Sequence, residues 1–597
     1  MTATYAIGID LGTTNSVLSW VRLDAETPQA ELLKVPQLVD RGTIEARSSL
    51  PSFTYLATDA EQSAAACDLP WTQDAEHADY AVGEFARRQS ADNPDRTIGA
   101  AKSWLSHAGV DRRAKILPWQ APEGVPQISP VDASLRYLQH LVAAWNAEFP
   151  DARLAEQQVV LTVPASFDPV ARELTREAAV RAGLPEHLVL LEEPQAAVYA
   201  WLQQMGEDWR SSLSAGQSLL VCDVGGGTTD LTLVDVVDED GNLELRRRAV
   251  GNHLLVGGDN MDLALAFHAA ELFEAKGTKL DPWQSVSLWH ACRAAKEVLL
   301  AEDGPDTHTV SVLGRGSRLI GGTVSVELER AKAVELLSSG FFPDVAATDK
   351  PSRQVMSGFQ EIGLPYEQDT GITRHVAEFL ARHGEEQMAR PTHVLLNGGV
   401  FRSARLQSQL MDVLGGWFDE SPALLAGKQD LDNAVSLGAA FYAWTRTNGA
   451  LRIRGGSARS WYVGIESAGL AIPGAPRPLR ALCVVPQGME EGTEADVPSG
   501  EIGLAVGQPA KFRFFGSTVR PDDVPGDLVG SWTDEELVET VSLEAELPQE
   551  DGRDETWVPV NFQSRVTELG VLELWCVNRE TGRRWKLEFD LREDEVG

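Results

Sequence analysis

Hydrophobic and polar positions follow two different periods along this chain, and the change of period divides it. From the start to about residue 446, short apolar runs alternate with stretches of helical spacing. Tyr5-Ala6-Ile7 precedes a glycine turn and a second β-prone run, Val17-Leu18-Ser19-Trp20-Val21. Leu219-Leu220-Val221 precedes another such turn and then Leu231-Thr232-Leu233-Val234. Both predict strand, tight turn, strand. Val159 to Val163 predicts a strand and 168–182 a helix, with Asp168 as cap, Pro169 in the first turn and Gly183 as stop. Apolar residues at 135, 138, 142 and 145 predict an amphipathic helix from Ser134 to Phe149. Val394-Leu395-Leu396 predicts a strand before a helix at 402–414. The stretches 57–80 and about 340–372 have little period and read as surface loops.

The pattern changes after Trp444. Arg446 to Arg459 holds three glycines and four arginines with little apolar content, so 447–460 reads as a linker. Beyond it the period is two. Trp585, Leu587, Phe589 and Leu591 alternate with Lys586, Glu588 and Asp590, and Val541, Leu543, Ala545 and Leu547 alternate with polar partners. Asn578 to Gly582 predicts the turn between two such runs. The expectation is an α/β part over 1–446 and a small all-β sandwich over 461–597, with no helical domain after Leu591.

A chain of 597 residues is too long for one core and implies two to four domains. Hydrophobic residues at 43% with 23% charged fit a globular protein, and no apolar run approaches the ~20 residues of a membrane span. The first strand begins almost at once, so no leader is expected. The net charge of −36 argues against non-specific nucleic-acid binding and against anionic membranes. Cys67, Cys222, Cys292, Cys483 and Cys576 are scattered with no C-x-x-C, which fits buried thiols in a reducing cytoplasm.

The chemistry lies in the two glycine turns. One reads Ile9-Asp10-Leu11-Gly12-Thr13-Thr14-Asn15, the other Cys222-Asp223-Val224-Gly225-Gly226-Gly227-Thr228-Thr229-Asp230. Glycine lets backbone approach a ligand, and the turn amides make a concavity for anions. Thr13, Thr14, Thr228 and Thr229 add hydroxyl donors. Asp10 and Asp223 would repel phosphate unless a cation sat between, and Mg²⁺ held largely through waters suits them. Either phrase alone is an ordinary hairpin; two with matching flanks point to a clamp on one polyphosphate.

Six segments, taken in order, resemble one family. They are Gly8 to Ser16; Val163-Pro164-Ala165-Ser166-Phe167; Glu193-Pro194-Gln195-Ala196-Ala197; Asp223 to Asp230; Asn397-Gly398-Gly399-Val400-Phe401-Arg402; and Asp432 to Ala440. Together they resemble the DnaK-type heat-shock chaperones of the seventy-kilodalton class, across about 1–446. The resemblance implies an actin-like two-lobed ATPase of duplicated ribonuclease-H-like domains, ATP or ADP with Mg²⁺ and a K⁺ ion as cofactors, an unfolded polypeptide client, and J-domain and nucleotide-exchange cochaperones. It implies catalytic roles for Lys102 toward the γ-phosphate, Glu193 toward water, Thr228 and Asp230, and metal roles for Asp10 and Asp223. It implies nucleotide contacts from Gly12, Thr13, Thr14, Asn15, Gly226, Gly227, Gly257, Gly258, Lys296, Gly398, Gly399, Arg402 and Asp432. Pro164 and Arg172 match positions that pass nucleotide state onward. Read without the family, Lys102 is a surface lysine and Glu193 a helix-start acid.

The chain also departs from that pattern. Arg293 stands where the family places a glutamate and Leu300 where it places a small hydroxyl, so the adenine clasp is expected to be altered while Lys296 reaches the ribose. The apolar linker with paired acids is replaced around Arg452-Ile453-Arg454-Gly455-Gly456. Trp461 to Ser467 and Thr567 to Leu574 resemble the first and last strands of the family's peptide-binding domain, whose helical lid is expected to be missing. Two other classes stay open: a sugar-type kinase on the same fold, and a nucleotide-binding scaffold with little turnover.

Overall fold

In the computed structural model both glycine turns are β-hairpins at the centre of a sheet. The structure describes residues 3–72, 77–107, 109–239, 242–313, 323–352, 364, 366–384, 388–427, 430–448, 457, 459–466, 478–489, 493–505, 509–534, 536–540, 543–546, 557–567 and 572–589. Tyr5–Leu11 pairs antiparallel with Asn15–Arg22 on one side and parallel with Gln158–Val163 on the other. Val189–Glu192 extends the parallel side and Glu31–Leu32 the antiparallel side. Ser218–Val224 repeats this arrangement. It pairs antiparallel with Thr229–Glu239, then Asn242–Val250, and parallel with His393–Asn397, then Ala423–Leu424. The two sheets share the same order and sense along this five-strand path.

Two helices fill the space between them. Glu193–Met205 follows the outer parallel strand of the first sheet, and Ala434–Asn448 follows that of the second. Their apolar faces bury against Ala6 and Val21 of one sheet and Leu219 and Val221 of the other. Gly8 and Gly438 permit the contact. A Cβ on Gly8 would lie 2.3 Å from Ala440 N, and one on Gly438 would lie 1.8 Å from Ala196 O. Each sheet buries its other face in a separate core, one around Leu141, Trp145 and Leu174, one around Leu265, Phe273 and Leu380.

The predicted helix at 168–182 is Pro169–Arg181, with the Asp168 carboxylate accepting from Ala171 N and Gly183 at φ +98°. The helix expected from Ser134 begins earlier, as Pro130–Glu148, because the Ser129 hydroxyl caps it and Pro130 fills its first turn. The helix expected at 402–414 is Ala404–Gly415, after a 3₁₀ turn over Gly399–Arg402. The stretch 57–80 is more than surface loop. A capping box between Thr58 and Glu61 starts the helix Asp59–Ser63, and Cys67 is buried with Tyr55 and Phe85. Residues 353–363 and 365 of the second expected loop lie outside the described residues, as do 449–456 and 458 of the expected linker.

From Ser460 the strands form two further sheets. One runs Leu528–Val529, Leu479–Val485, Ser460–Glu466, Phe514–Ser517, Val538–Glu539. The other runs Glu494–Ala505, Trp557–Val566, Leu572–Asn578, Arg584–Phe589, Leu543–Glu546, Pro509–Phe512. Trp461, Val463 and Phe514 of the first share a core with Val560, Leu574 and Leu587 of the second, while Tyr462 and Phe515 turn to the opposite face. The expected turn at 578–582 is present, closed by Gly582 N donating to Asn578 O (2.9 Å). Val541, Leu547 and Leu591 lie outside the described residues. All five cysteines are buried and free, and no helix among the described residues is long and apolar enough to cross a membrane.

Candidate functional site

Strand register puts the acidic residues in matching places. Asp10 lies opposite Thr162 on the neighbouring parallel strand, and Asp223 lies opposite Asn397. The partner holds the carboxylate in both cases: Thr162 Oγ1 donates to Asp10 Oδ1 (3.2 Å), and Asn397 Nδ2 donates to Asp223 Oδ2 (2.9 Å). Asp223 also pairs in register with Asp230 across its own hairpin.

The hairpin turns meet face to face. A Cβ built on Gly226 would lie 1.9 Å from Thr14 Oγ1, and one on Gly227 would lie 2.9 Å from Thr13 Cγ2. Only glycine permits that approach. Backbone bonds brace each loop: Ser52 N donates to Thr14 O, Gly225 N to Thr228 O, and Asp259 N to Gly226 O. Between the sheets lies a cleft of about 540 Å³, within the usual size of a small-ligand site.

Its walls hold nearly every residue expected from the sequence. Asp10, Gly12, Thr13, Thr14, Asn15, Lys102, Glu193, Asp223, Gly226, Thr228 and Asp230 line the cleft around the hairpins. Gly258, Lys296, Gly398, Gly399, Arg402 and Asp432 line the remainder. Gly227 and Gly257 stand next to this lining: Gly227 packs against Thr13 of the facing hairpin, and Gly257 against the backbone of Gly225 and Gly226. A Cβ on Gly257 would meet Gly225 O and Gly226 O at 2.7 Å, so it serves the loop's own backbone.

Lys102 opens the helix Ala101–Ser106 and is buried, ion-paired with Glu193. Four carboxylates, Asp10, Glu193, Asp223 and Asp230, gather around this cation. Burial and the neighbouring Asp10 and Asp230 push Glu193 up to about 8 despite Lys102. Burial pushes Asp223 up to about 7 against the Asn397 bond, with Asp230 and Asp10 adding to it. Asp10 rises by burial as well, while Lys102 and the Thr162 bond pull it down. Burial would lower Lys102, but Glu193, Asp10 and Asp230 outweigh it and hold it above the ordinary lysine range. A net negative cluster shifts its members this way. Asp230 is the exception. Burial pushes it up, yet His253, Ser166 and Lys102 more than offset this and hold it below the carboxylate range.

The cluster therefore fits an added cation. Mg²⁺ takes one or two carboxylates and keeps several waters, so Asp10 and Asp223 suffice as its protein ligands beside a ligand's phosphate oxygens. The buried Thr14 hydroxyl and Asn397 Oδ1 have no partner among the described residues.

Several contacts at the site were not anticipated. Arg293 donates to Asp262 (2.9 Å) and to Asp259 (2.5 Å), and Lys296 Nζ is 2.7 Å from Asp262 and donates to Gly258 O (2.8 Å). The departure at Arg293 thus closes an ion network along the wall, and Lys296 is tethered within it. Leu300 does line the cleft, beside Glu297 and Ala301. Arg172 is 2.7 Å from Glu192, and Arg247 pairs with the same carboxylate. Ser166 and His253 close around Asp230. Arg293, Lys296 and Arg172 stood out in the sequence, but their partners Asp262, Asp259 and Glu192 lie on other elements, so no local pattern pointed to these pairs.

Comparison with known proteins bears on this cleft. Residues 73–357 match the family model described as Hsp70 protein. That stretch of the chain is similar to an Hsp70 domain. Its curated relatives include the chaperone protein DnaK of Thermotoga neapolitana, 32% identical over 274 residues, covering 45% of this chain and 36% of that protein. The chaperone protein HscA homolog of Shewanella baltica is 29% identical over 316 residues, covering 53% of this chain and 44% of that protein. This chain thus spans less than half the length of these curated relatives. Lys102, Glu193, both residues of the Ser166–His253 pair and the second hairpin lie inside the Hsp70 match; the first hairpin precedes it and Gly398, Arg402 and Asp432 follow it.

Proposed function

We propose that this chain is an ATP-binding and ATP-hydrolysing chaperone of the DnaK type, using nucleotide state to modulate its hold on an extended polypeptide. One observation carries the reading: two glycine hairpins from matching sheets meet over a cleft lined by Asp10, Asp223 and Lys102. On this reading the two sheets are the lobes of an actin-like ATPase over 1–446. The sheets over 461–597 are a β-sandwich for peptide, joined through 447–460. The cytoplasm is its compartment, and J-domain and nucleotide-exchange proteins are its cochaperones.

The turn amides and hydroxyls of Thr13, Thr14 and Thr228 would hold the phosphates. Mg²⁺ would neutralise phosphate charge, with Asp10 and Asp223 the residues placed to hold it through water; K⁺ would take a share of the remaining negative field. Lys102 offers the positive charge that phosphoryl transfer requires, and Glu193 and Asp230 offer acceptors for the attacking water. Gly398, Gly399, Arg402 and Asp432 would lie along the nucleoside; Arg402 donates to Asp432 (2.9 Å) at the cleft mouth.

Single-turnover hydrolysis tests the enzyme reading. Lys102→Ala is expected to lose about a hundredfold or more in rate, and an unchanged rate removes the assignment. Release of a fluorescent unfolded peptide, measured with ATP, with ADP and without nucleotide, tests the chaperone reading. Off-rates that differ with nucleotide support it; identical kinetics leave an ATPase with an uncoupled appendage.

A further inference from the structure

Asp230 is held from behind by residues of both sheets' connections. Ser166 follows the strand Gln158–Val163 of the first sheet, and its hydroxyl donates to Asp230 Oδ1 at 2.6 Å. His253 lies between the strand Asn242–Val250 and the helix Gly258–Ala275 of the second half. Its Nδ1 is 2.7 Å from the same hydroxyl and 3.8 Å from Asp230 Oδ1. A serine has one hydroxyl proton. With that proton on Asp230, the second bond must run from His253 Nδ1–H to Ser166 Oγ. The result is a directed chain, N–H to O–H to carboxylate, whose last member can only accept.

The local fold fixes this chain. Gly251 N donates to Leu231 O (2.8 Å), Thr229 N to Leu254 O (2.9 Å) and Thr229 Oγ1 to Val256 O (2.8 Å), so the segment bearing His253 is zipped along the strand that bears Asp230. The Phe167 ring packs edge-on against the imidazole at 5.9 Å. His253 Nε2 is buried with no hydrogen-bond partner among the described residues. Asp230 nonetheless lines the cleft. Lys102 faces it from inside, and Arg459, partly exposed, lies near Asp168, Arg172 and Asp230.

We propose that Ser166 and His253 are a positioning pair, one residue from each half of the cleft, that fixes Asp230 as the hydrogen-bond acceptor for the water attacking the γ-phosphate. This rests on the ATPase reading above. Among the described residues Asp230 is the one of the four carboxylates held by a hydrogen-bond chain with a member from each half, so its orientation depends on the halves being closed. The pair acts through Asp230 and touches no reacting atom itself.

Single-turnover ATP hydrolysis by the full chain, with fluorescent ADP binding measured in parallel, tests the pair. Losing the chain should cost about one hydrogen bond's worth of orientation, so His253→Ala and Ser166→Ala are each expected to slow hydrolysis about tenfold at ADP affinity within about twofold of the parent. His253→Asn, whose amide N–H can occupy the Nδ1 position, is expected to recover to within about threefold of the parent. The double alanine variant should be no slower than the worse single, since both break one chain. A His253→Ala rate equal to the parent's overturns the proposal. So does an asparagine variant as slow as the alanine, or an ADP affinity that falls by the same factor as the rate. A parent that binds ATP and never hydrolyses it removes the ATPase reading and the pair's role together. A parent that turns over while His253→Ala is indifferent removes the pair alone.

Discussion

Asp262 is completely buried, and two cations cover it: Arg293 Nε at 2.9 Å and Lys296 Nζ at 2.7 Å. Arg293 also covers Asp259. Breaking a buried pair by removing one partner costs more than never having built it, about 3–5 kcal/mol, because the remaining charge is left without compensation. Arg293→Leu is expected to lose about 3 kcal/mol in chemical denaturation, the low end, since Lys296 stays. Arg293→Lys should recover only part, because one ammonium cannot reach both carboxylates as the guanidinium fork does. A loss below about 1 kcal/mol would mean that the network carries little stability. None of this was legible in the sequence. Spacing along one helix relates Arg293 to Lys296, but Asp262 lies on the preceding helix, and only the fold sets the two helices side by side.

At the scale of elements the sequence was more informative. Both hairpins followed from apolar runs flanking glycine, since a turn of that kind has few residue choices. The helix Pro169–Arg181 announced its ends through Asp168 and Gly183. The helix Pro130–Glu148 was placed four residues late because apolar period marks a buried face and not a first turn, which Ser129 and Pro130 define. The repeat of strand order in the two sheets was implied only by the family resemblance and not by periodicity, since pairing joins residues some 150 positions apart. So was the helix crossing at Gly438. There Gly438→Ala would gain up to about 1 kcal/mol of helix propensity. Its Cβ, however, would stand 1.8 Å from the backbone oxygen of Ala196, which cannot rotate aside. Overpacking costs about 1–3 kcal/mol, and a backbone clash belongs at the top of that range, so a net loss of about 2 kcal/mol is expected in thermal unfolding. Gly340→Ala is the control. It lies in the helix Arg330–Phe341 with nothing within 4 Å of the added carbon, and should stabilise by about 0.5–1 kcal/mol. Equal and favourable effects at both sites would show that the two central helices can part freely.

Across the whole molecule, buried histidines set one limb of the acid response. Burial pulls His140, His290 and His383 down to about 4 from an ordinary value of 6.5, with nearby arginines adding to it at His290 and His383. His140 is the most fully enclosed, its Nε2–H donating to Pro36 O at 2.8 Å and its ring edge-on to Trp71. The folded pKa is below the unfolded one, so the unfolded chain binds the proton first as pH falls. The stability that a neutral His140 contributes is complete above pH 6.5 and is lost progressively down to about pH 4. At 1.36 kcal/mol per pH unit this limb amounts to about 3 kcal/mol for His140 alone. The cleft carboxylates Glu193 and Asp223 are shifted upward and act with the opposite sign, so the parent's own curve mixes the two. The difference between parent and His140→Gln removes that background, because both retain the same cleft. Glutamine keeps a donor for Pro36 and cannot take a proton. Its stability relative to the parent should therefore improve by about 3 kcal/mol between pH 6.5 and pH 4 in denaturant titrations. A difference that stays constant over that range would place the proton uptake elsewhere in the chain.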